Sequence, residues 1–182
     1  ADAVSVYAVV RQARKSAANT LLAWEAPNYK NHLALLTSYN DQFLVDHGNA
    51  SEGGRVSAPQ PEGWDEAWHV LEFVREGSSA TVNVDSTAVE LGEFGSRLDG
   101  ALAGTLLVGA SPGLAYGGER AEVLVYNRAL SDTEVAQVRN VMATKYDLPV
   151  SANQLPSVTV TQPEAGTSIK AGKTLPLAAS AT

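Results

Sequence analysis

The sequence predicts an all-β chain with one helix on its C-terminal side, and three observations carry that expectation. First, 45% of the residues are apolar and only 18% are charged, with Gly, Ser, Thr, Ala and Val abundant. That composition suits short strands, many turns and a packed core. Second, residues 121–126 alternate with a period of two. Ala121, Val123 and Val125 share one face, and Glu122, Leu124 and Tyr126 the other, as in a strand. Third, Ser131-Asp132-Thr133-Glu134 has the form of a capping box, in which the serine and glutamate satisfy each other's backbone amides. Val135, Val138 and Met142 follow at three- and four-residue spacing, with Val141 beside them. Such a stripe needs a sheet to cover, and Pro149 marks the helix end.

In chain order, residues 4–10 (VSVYAVV) form a strand that is apolar on both faces, as in a sandwich interior. Residues 11–19 are polar and read as a loop, and 20–24 (TLLAW) as a second strand. After a turn at 26–31, strands at 32–37 and 42–46 are joined by a hairpin through Asn40-Asp41. Residues 47–55 form a loop, and Pro59 and Pro61 confine 56–63 to a loop or a sheet edge. Residues 70–75 and 80–85 make a hairpin around the turn 76–79. Short strands follow at 89–91 and 105–110, separated by the loop 92–100, and a Gly-rich loop at 111–119 leads to the strand at 121–126. Beyond Asp147 the composition shifts: Pro149, Ser151, Asn153 and Pro156 read as a linker, and strands are expected at 157–161 and 174–179.

The run EVLVYNRALSDTEVAQVRNVMATKYDL resembles the closing strand and terminal helix of bacterial laminin-G-like, concanavalin A-like lectin/glucanase domains. The stretches VYAVVR, TLLAW and WHVLEFVREGSSATVNVDS resemble the opening strands and central hairpin of the same family, with Ser86 where glycine is usual. The resemblance implies an antiparallel two-sheet jelly-roll sandwich over residues 1–148, with one C-terminal α-helix packed on it. It also implies that the family's first strand is missing and one sheet edge open. After a linker at 149–156, residues 157–182 resemble the start of a bacterial immunoglobulin-like module. Such a fragment is too short to bury a core alone, so it is expected to dock on the jelly roll or on a neighbouring chain, at the uncovered edge. The implied function is a non-catalytic carbohydrate-binding module of a larger secreted or cell-surface bacterial protein. A structural or adhesive protein-interaction module is the alternative. A glycan-cleaving fragment comes third.

The residues bound these readings. With a net charge of −7, the chain repels nucleic acid and anionic membranes. There is no cysteine, hence no disulfide and no thiol chemistry. No apolar run is long enough to span a bilayer. Glycosidase chemistry needs two carboxylates on one strand face. Neither Glu62-Gly-Trp-Asp65-Glu66 nor Glu90-Leu-Gly-Glu93 has that phase, so no catalytic residue is assigned. His32, His47 and His69 lack metal-ligand spacing, and His69 reads as structural. Calcium would take oxygen ligands such as Asn40, Asp41, Asp46 and Asp99, but no ligand run exists, so calcium is admitted and no cofactor is predicted. A glycan needs an aromatic platform beside amides or carboxylates. Trp64, Tyr39, Tyr29 and Tyr116 qualify as loop aromatics, with Asn40 and Asp41 as hydroxyl-binding partners, and Trp64 leads. The competing reading of Trp64 is a plug over the end of the sandwich. Trp24 and Trp68 sit in strands and read as core.

Overall fold

The first strand is apolar on both faces because both faces are covered. A computed structural model describes residues 3–13, 18–25, 33–47, 53–77, 79–92, 102, 104–111, 114–149, 158–162, 168, 172, 174 and 178–181. The strands are β1 (Ala3–Gln12), β2 (Ala18–Glu25), β3 (Leu33–Tyr39), β4 (Gln42–His47), β5 (Arg55–Pro59), β6 (Trp68–Glu76), β7 (Ser79–Val84), β8 (Thr87–Val89), β9 (Thr105–Val108), β10 (Ala110–Ser111), β11 (Leu114–Ala115) and β12 (Gly118–Tyr126). Helix α1 (Asp132–Tyr146), β13 (Val158–Gln162) and β14 (Ala178–Ala181) follow.

Two five-stranded sheets face each other, one in the order β12-β1-β6-β7-β8 and the other β5-β4-β3-β2-β9. Every ladder in both is antiparallel. Alternation along β1 sends Val4, Val6, Ala8 and Val10 into the space between the sheets. There they meet Leu71 and Phe73 of β6 and Leu21, Leu33, Leu35, Phe43 and Val45 of the second sheet. The intervening Tyr7 and Val9 point the other way, onto Leu130, Val135, Met142 and Ala143 at and beyond the helix start. The all-β sandwich with one terminal helix packed on it is therefore the fold.

Burial dictates how α1 is held. Glu72 on β6 is fully buried, and an isolated carboxylate there would be costly. Arg139 of α1 reaches it with both arms of its guanidinium, Nη2 donating to Oε2 at 2.8 Å, and Asn83 donates to the same oxygen at 3.2 Å. Ser5 on β1 is buried as well. Its hydroxyl donates to the Arg128 carbonyl (3.0 Å) and accepts from the Leu130 amide (2.9 Å), fixing the entry to the helix. At that entry the Glu134 carboxylate accepts from the Ser131 amide (3.0 Å) and hydroxyl (2.9 Å), the reach-back arm of the expected capping box. Arg128 grips the same carboxylate, and these partners, Arg128 first, hold the exposed Glu134 at a pKa of about 2.

The structure corrects several boundaries. β1 runs two residues past Val10, so Arg11 belongs to a strand and not a loop. The segment 55–59 is the edge strand β5, exposing Arg55, Ser57 and Pro59 and burying Val56 and Ala58. Pro59 is tolerated because an edge strand has one side without a ladder partner. A small hairpin, β10–β11, occupies part of the expected 111–119 loop. Val141 is 66% exposed, whereas Arg139 is buried, because the ion pair with Glu72 draws the arginine onto the sheet.

The chain divides into two units, Ala1–Ser151 and Ala152–Thr182. Within the second, β13 pairs antiparallel with β14, with Val158 opposite Ala181 and Val160 opposite Ala179. Among the described residues, no helix is long and apolar enough to cross a membrane.

Replacing Arg139 with Ala strands a buried carboxylate and should cost roughly 3 kcal/mol of unfolding free energy, read from urea denaturation. The paired change Glu72→Leu with Arg139→Met should recover most of that loss. Equal losses in the single and double variants would show that the ion pair does not anchor α1.

Candidate functional site

Helix α1 packs on the outer face of the first sheet, and the second sheet carries a buried apolar cluster of its own. Along its outer face, Ala23, Ala34, Leu36 and Leu44 form a buried apolar floor on which Tyr39 packs. The β3–β4 end of this face is open. Asn40 and Asp41 form the hairpin connection with φ of 52° and 61°. Positive φ at both central residues is what a two-residue type I′ turn requires, and Asn and Asp tolerate it better than most residues. Asn40, Asp41 and Gln42 are all exposed.

Charge is built in at the other end of β4. Arg55 of β5 lies opposite Asp46 of β4 and binds it through Nε to Oδ1 and Nη2 to Oδ2, both at 2.6 Å. The bidentate geometry fixes the guanidinium plane, and hydrogen bonding to Asp46 raises the Arg55 pKa. The guanidinium carbon sits 5.4 Å from the Tyr39 ring centroid, a cation–π contact. The result is a half-buried aromatic under a planar cation, followed in the chain by an exposed amide and an exposed carboxylate. Gln60 supports the turn from behind, its side chain donating to the Thr37 carbonyl (2.6 Å) and its amide to the Asp41 carbonyl (3.4 Å).

Of the residues expected to bind a ligand, Tyr39, Asn40 and Asp41 are thus brought together. Trp64 is not with them, and its burial corrects the expectation of a sugar platform. Its ring is 2% exposed, packed edge-on against Phe43 (4.8 Å, 70°) and stacked on His69 (5.0 Å, 23°). The Pro/Gly segment folds back on itself, Trp64 donating its amide to the Pro61 carbonyl at 3.2 Å with Gly63 at φ 76°. That turn drives the indole into the core, so Trp64 is the plug at the sandwich end. Tyr116 is likewise only 7% exposed and belongs to the inter-sheet cluster, not to a binding surface. Tyr29 and Asp99 lie outside the described residues. Arg55 escaped the sequence reading, which placed it in a loop. The alternation of Arg55 and Ser57 with Val56 and Ala58 is the signal that finds it.

Acid–base and metal chemistry find no assembled set among the described residues. Glu119 pairs with Arg11, Glu122 with Lys145, Glu134 with Arg128 and Glu72 with Arg139. Asp65 accepts from Gln12 at 3.0 Å. Both Asp46 oxygens are taken by Arg55, and no three His, Asp or Glu side chains gather as metal ligands among the described residues.

His69 is structural, and its chemistry is definite. Nδ1 faces the Asp85 carboxylate at 2.5 Å and Nε2 faces the Gly63 carbonyl at 3.1 Å. Two acceptors can both be satisfied only by the doubly protonated ring. Burial alone would lower the His69 pKa, but the hydrogen bond and charge of Asp85, joined by Gly63, raise it above the ordinary value.

No family model and no curated protein matches the chain. Solved structures do. A Bacteroides ovatus protein whose name proposes carbohydrate binding superposes with a TM-score of 0.56 at 13% identity, over 74% of this chain and 40% of that one. The CBM40 module of Ruminococcus gnavus IT-sialidase, solved with α2,3-sialyllactose, gives 0.56 at 13% identity over 76% of this chain and 82% of that one. The NanB sialidase of Streptococcus pneumoniae gives 0.56 at 17% identity, over 75% of this chain and 24% of that one. The likeness is one of fold. It is a two-sheet jelly-roll sandwich.

Because the folded His69 holds its proton more tightly than the unfolded chain does, its stabilisation is complete below about pH 6.5 and is lost as pH rises through the folded value. Melting temperature should therefore fall across that interval, and His69→Gln should flatten the profile. An unchanged profile in the variant would locate the dependence elsewhere.

Proposed function

We propose that residues 1–148 form a non-catalytic carbohydrate-binding module of a larger secreted or cell-surface bacterial protein, and that residues 157–182 begin an immunoglobulin-like module. The observation that carries the reading is the Tyr39–Arg55 contact on a strand that runs directly into the exposed Asn40-Asp41 turn. Such a surface matches a sugar: the flat stack meets the apolar C–H face, and the amide and carboxylate meet hydroxyls. A carboxylate and a fixed guanidinium on one small surface favour a polar or charged glycan over a hydrocarbon ligand. Asp46, Glu72, Glu119, Glu122 and Glu134 are each held by a basic side chain, which supports binding without turnover. The shared fold with the sialyllactose-bound module supports the ligand class.

A structural or adhesive module is the second reading, and one feature favours it: inward-facing Val108 and Val125, at the edges of the two sheets, remain 44% and 42% exposed.

On a glycan array, the two-unit chain should bind a subset of oligosaccharides. Tyr39→Ala should weaken the best ligand roughly tenfold, a loss of about 1.4 kcal/mol. Asp41→Ala should weaken it without altering the far-ultraviolet circular dichroism. Uniform failure to bind, or binding indifferent to both substitutions, would remove this site from consideration.

A further inference from the structure

A second surface lies on the side of the sandwich where β12 ends one sheet and β9 ends the other. Between these edges runs a cleft of about 240 Å³, lined by Val4, Trp24, Leu106, Val125 and Tyr126 among others. Val125 and Val108 face inward by alternation, yet each is over 40% exposed. The core therefore continues to the surface here, beside edge strands with no further ladder partner among the described residues.

One end of this side is charged. The Arg120 guanidinium lies 5.4 Å from the Tyr116 ring centroid. It also rests against Gly109, where an added β-carbon would strike it. Arg11, Arg55, Arg128, Arg139 and Lys145 each meet a carboxylate. Arg120 has no acidic partner among the described residues, so a fixed fork of donors is left for an anion from outside.

We propose that this side docks the extended C-terminal end of a partner protein, added antiparallel to β12, with alternate aliphatic side chains in the cleft and its terminal carboxylate on Arg120. Three features select that occupant. A free edge with an apolar cleft beside it is the arrangement for strand addition, in which backbone hydrogen bonds give affinity and alternate side chains give register. Every ladder in this sheet is antiparallel. An antiparallel addition reverses the direction of β12, so the incoming C-terminus arrives at the Arg120 end and the carboxylate meets the unpaired cation. A second copy of this chain fits less well: full antiparallel β12–β12 overlap would set each Arg120 against Leu124 of the other copy, which carries no charge. From Arg120 to Asn127 the groove holds about eight residues of extended chain.

The test titrates the ¹⁵N-labelled chain with a short synthetic peptide of alternating valine and threonine with a free C-terminus, and with the same peptide amidated. Amide shifts confined to β12, β9 and their flanks, with binding about tenfold weaker for the amidated peptide and for Arg120→Gln, are expected. Val125→Lys should abolish binding of both peptides, while Tyr39→Ala should leave it unchanged. Equal affinity for the two peptides, shifts centred on another surface, or self-association of the unliganded chain across β12 in sedimentation would each overturn the proposal. So would a glycan that displaces the peptide from this side.

Discussion

The fold rests on the requirement that β1 be buried from both sides at once. Val4, Val6, Ala8 and Val10 need the second sheet, and Tyr7 and Val9 need the helix. A strand of this kind cannot border water on either face without exposing aliphatic surface, so the sandwich and its helical cover form together. Polar groups carried into that layer must then be matched. Ser5 is used twice, as donor and acceptor, and Glu72 obliges a helix four turns long to place Arg139 opposite it. The Tyr7 hydroxyl has no hydrogen-bond partner among the described residues, and its burial pushes the phenol well above its usual pKa. A group so placed stays neutral throughout the accessible pH range.

The two sheets are consequently unequal. One spends its outer face on α1. The other buries Ala23, Ala34, Leu36 and Leu44 on its outer face and ends β3 in an exposed two-residue turn with positive φ at both positions. The same end is closed toward the core by the Trp64 plug, packed on Phe43 at the start of β4 and stitched through His69 to the β7–β8 turn at Asp85. Gln12 ties the same end together, accepting from Thr37 at 2.9 Å and donating to Asp65. The Asn40-Asp41 turn stays exposed on a base held by these bonds and by Gln60.

Much of the fold was legible in the sequence because its strongest signals are local. The period of two in residues 121–126, the serine–glutamate start of the helix and the Asn40-Asp41 turn each depend on neighbours a few positions apart. The misreadings share a different cause. Trp64 sits among Pro, Gly and Asp, which reads as an exposed loop, but where its ring goes is decided by Phe43 and His69 on separate strands. Val141 and Arg139 exchanged places because the helical stripe ignores a buried acid on β6, and nothing near Arg139 announces Glu72. The proposed site was half legible: its turn was read from Asn40-Asp41, while Arg55 needed the pairing of β5 with β4 to acquire meaning.

The pairing of β1 with β12 joins the two ends of the first unit: Arg11 meets Glu119 across 108 positions, and Ser5 meets Leu130 across 125. During synthesis the first strand therefore emerges from the ribosome long before its outer neighbour exists. Until the last third of the domain has been made, VSVYAVV is an aliphatic segment without its cover, of the kind that recruits other nascent chains. The same long-range closure makes folding slow relative to helical proteins of similar size. A cell producing this domain has to shield one short segment for the whole of that interval, and export machinery that keeps the chain extended would serve that purpose.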